Sequence, residues 1–598
     1  MRISLLNRAV SLGLGVMFTA MLAACMDRTA DRDNGTQTVV ATPMNAPPPP
    51  PPPPPADENT VTMAARIPRQ GLYSSSPVSA AGQQEFKLQG STSAAGALNA
   101  PSNTMADATN PQGYWQPENT SKFPQAAPNA VKVTADDPVS TFSVDVDTAS
   151  YAFVRDTLNN GAMPPVDAVR VEEMVNYFDY GYAGPEDRKT PFRATTAVYP
   201  APWNADTEIL HIGIKGFELP KAERPPVNLV FLIDSSGSMD EPNKLPLLKR
   251  AFRLLVDQLS EKDRVSIVTY AGAAGVVLDP TSGADKQKIL AALDKLEAGG
   301  STAGGEGIRM AYQLAEDTRI KGGVNRVLLA TDGDFNVGIT DPAALEGFVV
   351  GERDKGIDLT CLGFGVDNYN DAMMQKLAQA GNGNAAFIDT LNEARKVFVQ
   401  QVGGTLFTIA KDVKIQVEFN PGRIAEYRLI GYETRLLNRT DFNNDKVDAG
   451  DIGSGHTVTA LYELTPVGSK AVKADPLRYG HEAHGDPKGE IAFLKIRYKL
   501  PGETTSHLIE RPITDADVVA DFGKLPADLR FAAAVAGSAQ LMRHDPYIKD
   551  FSFARALTIA QEAKGADPFG YRGEFVQLLR TAQTASGLKP LAPEHPGR

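Results

Sequence analysis

The side chains in this chain that are best placed to do chemistry together carry only oxygen. Asp234, Ser236 and Ser238 follow the apolar run "VNLVFLI" at two-residue intervals. Thr302 lies in the glycine-rich stretch "LEAGGSTAGGEGI", and Asp332 follows a second apolar run, "RVLLAT". Two carboxylates and three hydroxyls suit a hard cation such as Mg²⁺ or Mn²⁺, and the set lacks the nitrogen or sulfur that zinc or copper favours.

Parallel strands would bring these residues to one edge of a sheet. Between about residues 227 and 403, apolar strand candidates alternate with amphipathic helices. The strand candidates are 228–233, 264–270, 325–331, 357–365 and 385–389, and the helix candidates are 243–259, 284–296, 305–317, 343–354, 368–380 and 391–402. Continuous apolar strands indicate a parallel sheet covered on both faces, in a doubly wound α/β fold. Such sheets bind ligands at the carboxyl ends of their strands.

The spacing of the oxygen ligands resembles a known motif. Asp234, Ser236, Ser238, Thr302 and Asp332 meet all five positions of the metal-ion-dependent adhesion site (MIDAS) of von Willebrand factor type A (VWA) domains. The resemblance implies that the serines and the threonine contact a divalent metal, and that the aspartates act directly or through water. It also implies Mg²⁺ as the cation, with Mn²⁺ or Ca²⁺ as alternatives, and an open coordination position for a carboxylate of a partner protein.

Some readings of the same loops stay open. Ser301 would replace Thr302 if the register is shifted by one residue, and Asp334 could support the ligands from outside the set. The alternative without a metal site is a hydrophilic loop in which serine and aspartate act as turn and cap residues.

Three other motifs imitate metal sites. "SVDVDTASY", with Asp145 and Asp147, has an aspartate and an alanine where the adhesion triplet needs serines, so strand-end polarity is favoured. "DFNNDKVDAGDI", from Asp441, lacks the glycine and the final glutamate of an EF-hand loop, which favours a long polar loop. "HEAHGD", with His481 and His484, does not match HExxH.

The N-terminus is typical of a targeting segment. Arg2 and Arg8 precede an apolar stretch that is short for a membrane span and ends in "LAAC" at Cys25. This resembles the lipobox of bacterial lipoproteins, which implies a signal peptide at 1–24, a lipidated Cys25 and anchoring in the cell envelope. Met26 rather than aspartate follows the cysteine, which slightly favours the outer membrane over the inner one. A plain signal peptide or an uncleaved anchor is the alternative.

The composition and the residue patterns of the rest of the chain predict a tether followed by several folded segments. Residues 25–130 are rich in Pro, Ala and Ser, with nine consecutive prolines, and predict a disordered tether. We expect a small α/β segment at 136–185, β strands at 190–225, the VWA domain at 226–404, a β-sandwich at 405–512 and a helical region at 513–590. Because an isolated hairpin is marginally stable, the strands at 190–225 should join the sandwich. The α/β domain would then be inserted in it.

The net charge and the cysteine content argue against some classes of function. Asp and Glu outnumber Lys and Arg by 72 to 60, which argues against nucleic acid as a partner. Cys361 lies in an apolar run and is expected to be a small core residue. We therefore expect a non-enzymatic envelope lipoprotein that binds an unidentified protein partner through the adhesion site and the membrane through its lipid anchor, with no small-molecule substrate. The alternatives are a metal-assisted hydrolase, which would need a general base or a second metal, and a purely structural lipoprotein.

Overall fold

The segment before the α/β domain contributes to layers built mostly from later parts of the chain. The computed structural model describes residues 121–300, 304–333, 341–365, 369–475, 485–548 and 550–588. The elements of this first segment are β1 (Lys132–Val133), β2 (Val139–Ser143), α1 (Ala149–Asn159), α2 (Val171–Asn176), β3 (Phe192–Ala201) and β4 (Asn204–Gly216). The structure differs from the small α/β unit expected at 136–185, because β2 pairs with a strand of the sandwich and α1 and α2 pack in a core shared with the C-terminal helices.

The last residues assigned to the tether are ordered. The Phe123 ring lies 4.7 Å from the Phe153 ring, edge to face, and Asn129 donates hydrogen bonds to the carbonyls of Leu429 and Gly431. The prediction of disorder is therefore wrong for residues 121–130, where aromatic packing and side-chain hydrogen bonds hold a chain that has no periodicity of its own. The signal peptide, Cys25 and residues 25–120 lie outside the described residues.

The α/β domain follows the predicted alternation. Its elements are β5 (Val227–Asp234), α3 (Leu245–Gln258), β6 (Arg264–Tyr270), β7 (Ala274–Ser282), α4 (Lys286–Asp294), α5 (Gly304–Asp317), β8 (Val324–Thr331), α6 (Pro342–Asp354), β9 (Asp358–Gly363), α7 (Asp371–Ala380), β10 (Ala385–Phe387), α8 (Leu391–Arg395) and α9 (Val402–Leu406). A π-helical turn, Lys396–Gln400, joins α8 to α9. The sheet order is β10-β9-β8-β5-β6-β7, and apolar clusters cover both of its faces. The prediction of a doubly wound α/β domain is confirmed.

One edge of this sheet is antiparallel. The strand β7 was not expected, and it pairs antiparallel with β6 because only residues 271–273 connect the two. Pro280 lies within β7, a position that an edge strand tolerates because one of its sides needs no ladder hydrogen bonds. The sheet is therefore mixed, with parallel pairing from β10 through β6.

Strands from both sides of the α/β domain build the sandwich. The later strands are β11 (Thr408–Phe419), β12 (Ile424–Ile430), β13 (Ile452–Gly453), β14 (Thr457–Pro466), β15 (Ala492–Lys499) and β16 (His507–Ile513). One sheet has the order β1-β12-β14-β4-β3, and the other has the order β13-β11-β15-β16 with β2 also paired to β11. Since β4 precedes the α/β domain and pairs with β14, which follows it, the predicted insertion is confirmed.

Helices close the described chain. They are α10 (Ala527–Met542), α11 (Phe553–Glu562) and α12 (Tyr571–Gly587). The run of small residues in α10 is buried almost throughout, so the helix lies between α2 and α11 rather than on the surface. These helices share one apolar cluster with α1 and α2, which joins the two ends of the described chain.

Candidate metal centre

Two buried aspartates meet at the carboxyl edge of the central strands. Every residue of β5 is buried, which places Asp234 at its end without solvent exposure. The neighbouring strand β8 runs parallel in register, with Ile233 opposite Ala330, so Thr331 and then Asp332 leave the sheet at the same edge. The Thr331 hydroxyl donates a hydrogen bond of 3.2 Å to Asp234 Oδ2. The structure thus brings the first and last predicted ligands together.

The loop after β5 orients the two serines. The Ser236 amide donates to Asp234 Oδ1 at 2.9 Å, and the Ser236 and Ser238 hydroxyl oxygens lie 3.1 Å apart. Ser236 is buried, whereas Ser238 is exposed to solvent. A turn that folds back on its own aspartate therefore directs both hydroxyls to one place, and that place is open to solvent on the Ser238 side.

The glycine-rich segment lies against this loop. The Gly237 amide donates to the Gly300 carbonyl at 3.2 Å, and the Gly299 amide donates to the Ser235 carbonyl at 2.8 Å. Gly300 has a φ of +85°, a conformation that residues with a side chain rarely adopt. Thr302, together with the alternatives Ser301 and Asp334, lies outside the described residues, so its role as a ligand stays a prediction.

The electrostatics of the two carboxylates favour a cation. Burial raises the pKa of Asp234, hydrogen bonds from Ser236 and Thr331 oppose that rise, and the charge of Asp332 adds to it. Asp332 Oδ1 is buried and accepts no hydrogen bond from any described residue. A buried carboxylate oxygen without a partner is costly, and a divalent cation would satisfy it. The donors at this edge therefore fit the hard cation that their types predict.

A lysine that sequence reasoning missed faces the same carboxylate. Lys244 is buried, and its Nζ lies 3.4 Å from Asp332 Oδ2 and 3.6 Å from Glu241 Oε1. Its stem packs so closely on Gly365, which has a φ of +77°, that a Cβ there would lie 2.4 Å from Lys244 Cε. The only sequence signal was a lysine just before the amphipathic helix α3, which is typical of a solvated position.

The imitating motifs have structural roles where the structure describes them. Asp145 and Asp147 form ion pairs with the buried Arg435 at 2.9 and 3.1 Å. The two aspartates just after β2 therefore serve to pair this arginine. Asp441 closes a capping box with Asn438. His481 and His484 lie outside the described residues. Among the described residues no group of three or more His, Cys, Asp or Glu is placed to hold a metal.

Comparison with known proteins agrees with this geometry. The family model described as "von Willebrand factor type A domain" matches residues 228–401, the one described as "Uncharacterized protein YfbK, C-terminal" matches residues 404–585, and one described as "von Willebrand factor" matches residues 117–211. The chain is 47% identical over 452 residues to the protein YfbK of Escherichia coli (strain K12), a match that covers 74% of this chain and 78% of that relative. The chain belongs to the YfbK family. As a YfbK-family protein it carries a VWA domain, and VWA domains commonly mediate protein–protein interaction through a MIDAS that typically binds a divalent metal.

Solved structures resemble parts of this YfbK-family chain. A von Willebrand factor type A protein from Catenulispora acidiphila aligns with a TM-score of 0.38 and 16% identity, over 67% of this chain and 91% of its own. Proximal thread matrix protein 1 of the mussel byssus, described with a zinc-occupied MIDAS motif, aligns with a TM-score of 0.25 and 24% identity, over 30% of this chain and 46% of its own. Among the described residues, no helix is long and apolar enough to cross a membrane.

Proposed function

We propose that this protein is a lipid-anchored protein of the bacterial envelope whose VWA domain captures a protein partner through a metal-bridged carboxylate. Asp234, Ser236, Ser238, Thr302 and Asp332 would hold the cation, which we expect to be Mg²⁺, with Mn²⁺ or Ca²⁺ as alternatives. The observation that carries the proposal is the pair of buried aspartates with two converging serine hydroxyls, in which Asp332 Oδ1 has no partner among the described residues.

Charge balance favours an acidic group on the partner. Asp234 and Asp332 together neutralise a divalent cation, and Lys244 adds a positive charge 3.4 Å from Asp332. Glu241, 3.6 Å from Lys244 Nζ, offsets the charge of that lysine, so the occupied site would present the positive charge of the cation without an excess of negative charge, beside an exposed serine. A carboxylate from a partner would be attracted to that charge and could complete the coordination shell.

Affinity capture tests the proposed interaction. Whole cells of the native host that carry the wild-type or the Asp332→Ala chain are crosslinked in Mg²⁺ or after EDTA treatment, and captured proteins are compared. We expect a partner that is captured by the wild-type chain in Mg²⁺ and lost with EDTA or with Asp332→Ala. Asp317→Ala, an exposed aspartate on α5, serves as the matched control and should capture normally. Equal capture by the Asp332→Ala chain would show that the interaction does not depend on the adhesion site.

The lipid anchor is a separate part of the proposal and rests on the "LAAC" sequence at Cys25. Two or more acyl chains hold a protein stably at a membrane, whereas one does not. In the native host, Cys25→Ser should abolish labelling by a palmitate analogue and move the protein from the membrane fraction to the soluble one. Retention of the label in the Cys25→Ser chain would show that Cys25 is not the lipidated residue. Density-gradient separation of inner and outer membranes tests the preference for the outer membrane.

We propose binding rather than turnover as the role of the metal centre. A hydrolase of the same site would show metal-dependent turnover on ester, phosphate or peptide substrates that disappears with Asp332→Ala. Turnover with that dependence would favour the enzymatic alternative over the adhesion role.

A further inference from the structure

A cleft away from the metal centre is lined by parts of the chain that are far apart in sequence. Its volume is about 580 Å³, within the range typical of small-molecule sites. Its walls come from the end of α2, from β4, from the π-helical turn after α8, from the start of β14 and from the start of α12. Junctions between structural units are a preferred position for ligand sites.

A buried lysine projects into this cleft without a carboxylate partner. Lys396 is 3% exposed, and its Nζ donates a hydrogen bond of 2.7 Å to the Tyr177 carbonyl and lies 2.9 Å from the centre of the Tyr177 ring. It forms no salt bridge with a described residue, because the nearby Glu393 carboxylate pairs with Arg155 at 2.8 Å. A buried amine with only a carbonyl and a ring as partners is not stabilised in its charged form, and an anion placed beside Nζ would favour its protonation.

Polar atoms without hydrogen-bond partners line the same cleft. Gln400 Oε1 accepts from the Tyr571 hydroxyl at 2.9 Å, so the Nε2 end of that amide is left as a buried donor that no described residue accepts from. His456 Nδ1 and Arg224 Nε are likewise buried without a partner among the described residues. Lys396 and Gln400 stand at the two ends of the π-helical turn, an irregularity that is frequent at functional sites.

The acidic groups of the cleft are already engaged or lie at its exposed rim. Asp528 pairs with Arg572 at 2.6 Å, and Asp179 lies 3.6 Å from Lys215. Asp567 accepts backbone hydrogen bonds from the start of α12, and Glu218 is exposed. The polar groups left without a partner inside the cleft are therefore mainly the Lys396 amine and N–H donors, which favour an anion as the ligand.

Aromatic side chains supply an apolar surface beside these donors. Tyr177 and Phe178 are buried in the wall of the cleft, and Phe569 at its edge is 49% exposed. Together these rings give the cleft an aromatic wall against which the apolar body of a ligand can pack.

We propose that this cleft binds a carboxylate carried on an aromatic or apolar body, with Lys396 as its charge partner and Gln400 as a hydrogen-bond donor. A free organic acid and the C-terminus of a peptide both present that chemistry. The cleft shares no described lining residue with the metal centre, so binding of such an acid would be a second role beside the protein–protein interaction proposed for that centre.

Calorimetric titration of the full chain with a matched pair of probes tests the charge requirement. N-acetyl-L-phenylalanine should bind, and its C-terminal amide should bind at least tenfold more weakly, with or without EDTA. Equal affinity for the acid and the amide, or no binding of the acid, would overturn the proposal. The peptide N-acetyl-Ala-Ala-Ala-Phe separates the two sources, because a gain of tenfold or more over the single residue indicates a peptide terminus and no gain indicates a small acid.

Variants then assign the binding to the named residues. Lys396→Met should lower the affinity for N-acetyl-L-phenylalanine at least tenfold, whereas Lys355→Met, at an exposed lysine of the α/β domain, should leave it unchanged. Gln400→Leu keeps the Lys396 amine and removes one hydrogen-bond donor, so it should weaken binding severalfold. This variant tests the assignment if Lys396→Met does not fold. Wild-type affinity in both a folded Lys396→Met chain and a folded Gln400→Leu chain would contradict the assignment.

Discussion

At Asp332, one carboxylate oxygen faces Lys244 and the other accepts no hydrogen bond from a described residue. A lysine this close to a proposed metal ligand would have two opposite effects. It competes with the cation for the carboxylate, and it makes the occupied centre more attractive to an anionic partner. For the proposed adhesion site, the balance between these effects would set the metal concentration needed before a partner could bind.

Replacement of Lys244 should separate the two effects. Lys244→Met keeps the packing volume against Gly365 and removes the charge, so we expect the affinity for Mg²⁺ to rise about tenfold, which is about 1.4 kcal/mol. Isothermal titration measures it, with Lys288→Met, an exposed lysine on α4, as the matched control. An unchanged or weaker affinity for Mg²⁺ would show that Lys244 supports the ligands instead of competing for them.

Lys396 gives the fold a dependence on pH. Burial lowers the pKa of Lys396 to about 7, although the charge of Glu393 opposes that change. In the unfolded chain the pKa of lysine is about 10.4, so between these values the unfolded chain binds a proton that the folded chain does not. Stability from this group therefore rises with pH. The groups that face Lys396 are Tyr177, Tyr571, His456, Glu393, Arg155 and Glu574.

Comparison with Lys396→Met isolates this effect, because the facing groups are present in both chains. Relative to that variant, the free energy of unfolding of the wild-type chain should rise by up to about 1.4 kcal/mol per pH unit between about pH 7 and 10. Urea denaturation at several pH values measures it. A difference between the chains that does not vary with pH in this window would mean that Lys396 is not held near its neutral form.

At the scale of elements, a single arginine joins three helices. Arg155 on α1 is buried and pairs with Asp389 just before α8, with Glu393 in α8 at 2.8 Å, and with Glu574 in α12 at 2.9 Å. It also donates to the Tyr177 hydroxyl at 2.9 Å. The α/β domain is thereby fixed to the helices that flank it on both sides in sequence.

Loss of this arginine should destabilise the assembled chain. Arg155→Met leaves buried carboxylates without a cation, so we expect the free energy of unfolding to fall by about 3–5 kcal/mol in urea denaturation. Arg353→Met removes an arginine whose carboxylate partners are exposed, and it should cost less than about 1 kcal/mol. A loss below about 1 kcal/mol for Arg155→Met would show that these helices do not depend on the buried pairs.

The local pattern of apolar and polar residues predicts most helices and strands. It does not predict the elements that form because of contacts with residues distant in sequence. The strands β5 and β8 could be predicted because each is an unbroken apolar run bounded by polar residues. The strand β7 could not, since "AGVVLDPTS" contains Pro280, and it forms because β6 lies next to it. The periodicity of residues 391–402 predicts ordinary helix, because a single turn with i→i+5 hydrogen bonds changes the apolar spacing too little to show in the sequence. Residues 121–130 were assigned to the tether because their order comes from contacts with distant residues.

At the level of the whole molecule, the two sites differ in how close their residues lie in the sequence. The candidate metal centre could be predicted because Asp234, Ser236 and Ser238 are adjacent in sequence and Asp332 ends a neighbouring strand. The cleft could not, because Tyr177, Lys396 and His456 come from different parts of the chain and share no spacing. Insertion of the α/β domain into a sandwich places both sites in one folded body of the described chain.

Binding of Mn²⁺ measures directly whether the sheet edge of the α/β domain holds a cation. Titration of the wild-type and Asp332→Ala chains is followed by electron paramagnetic resonance, with Asp317→Ala as the control and Mg²⁺ as the competitor. We expect a single Mn²⁺ site in the wild-type and Asp317→Ala chains that Mg²⁺ displaces, and no binding at the same concentrations in a folded Asp332→Ala chain. Wild-type affinity and stoichiometry in the Asp332→Ala chain would contradict it.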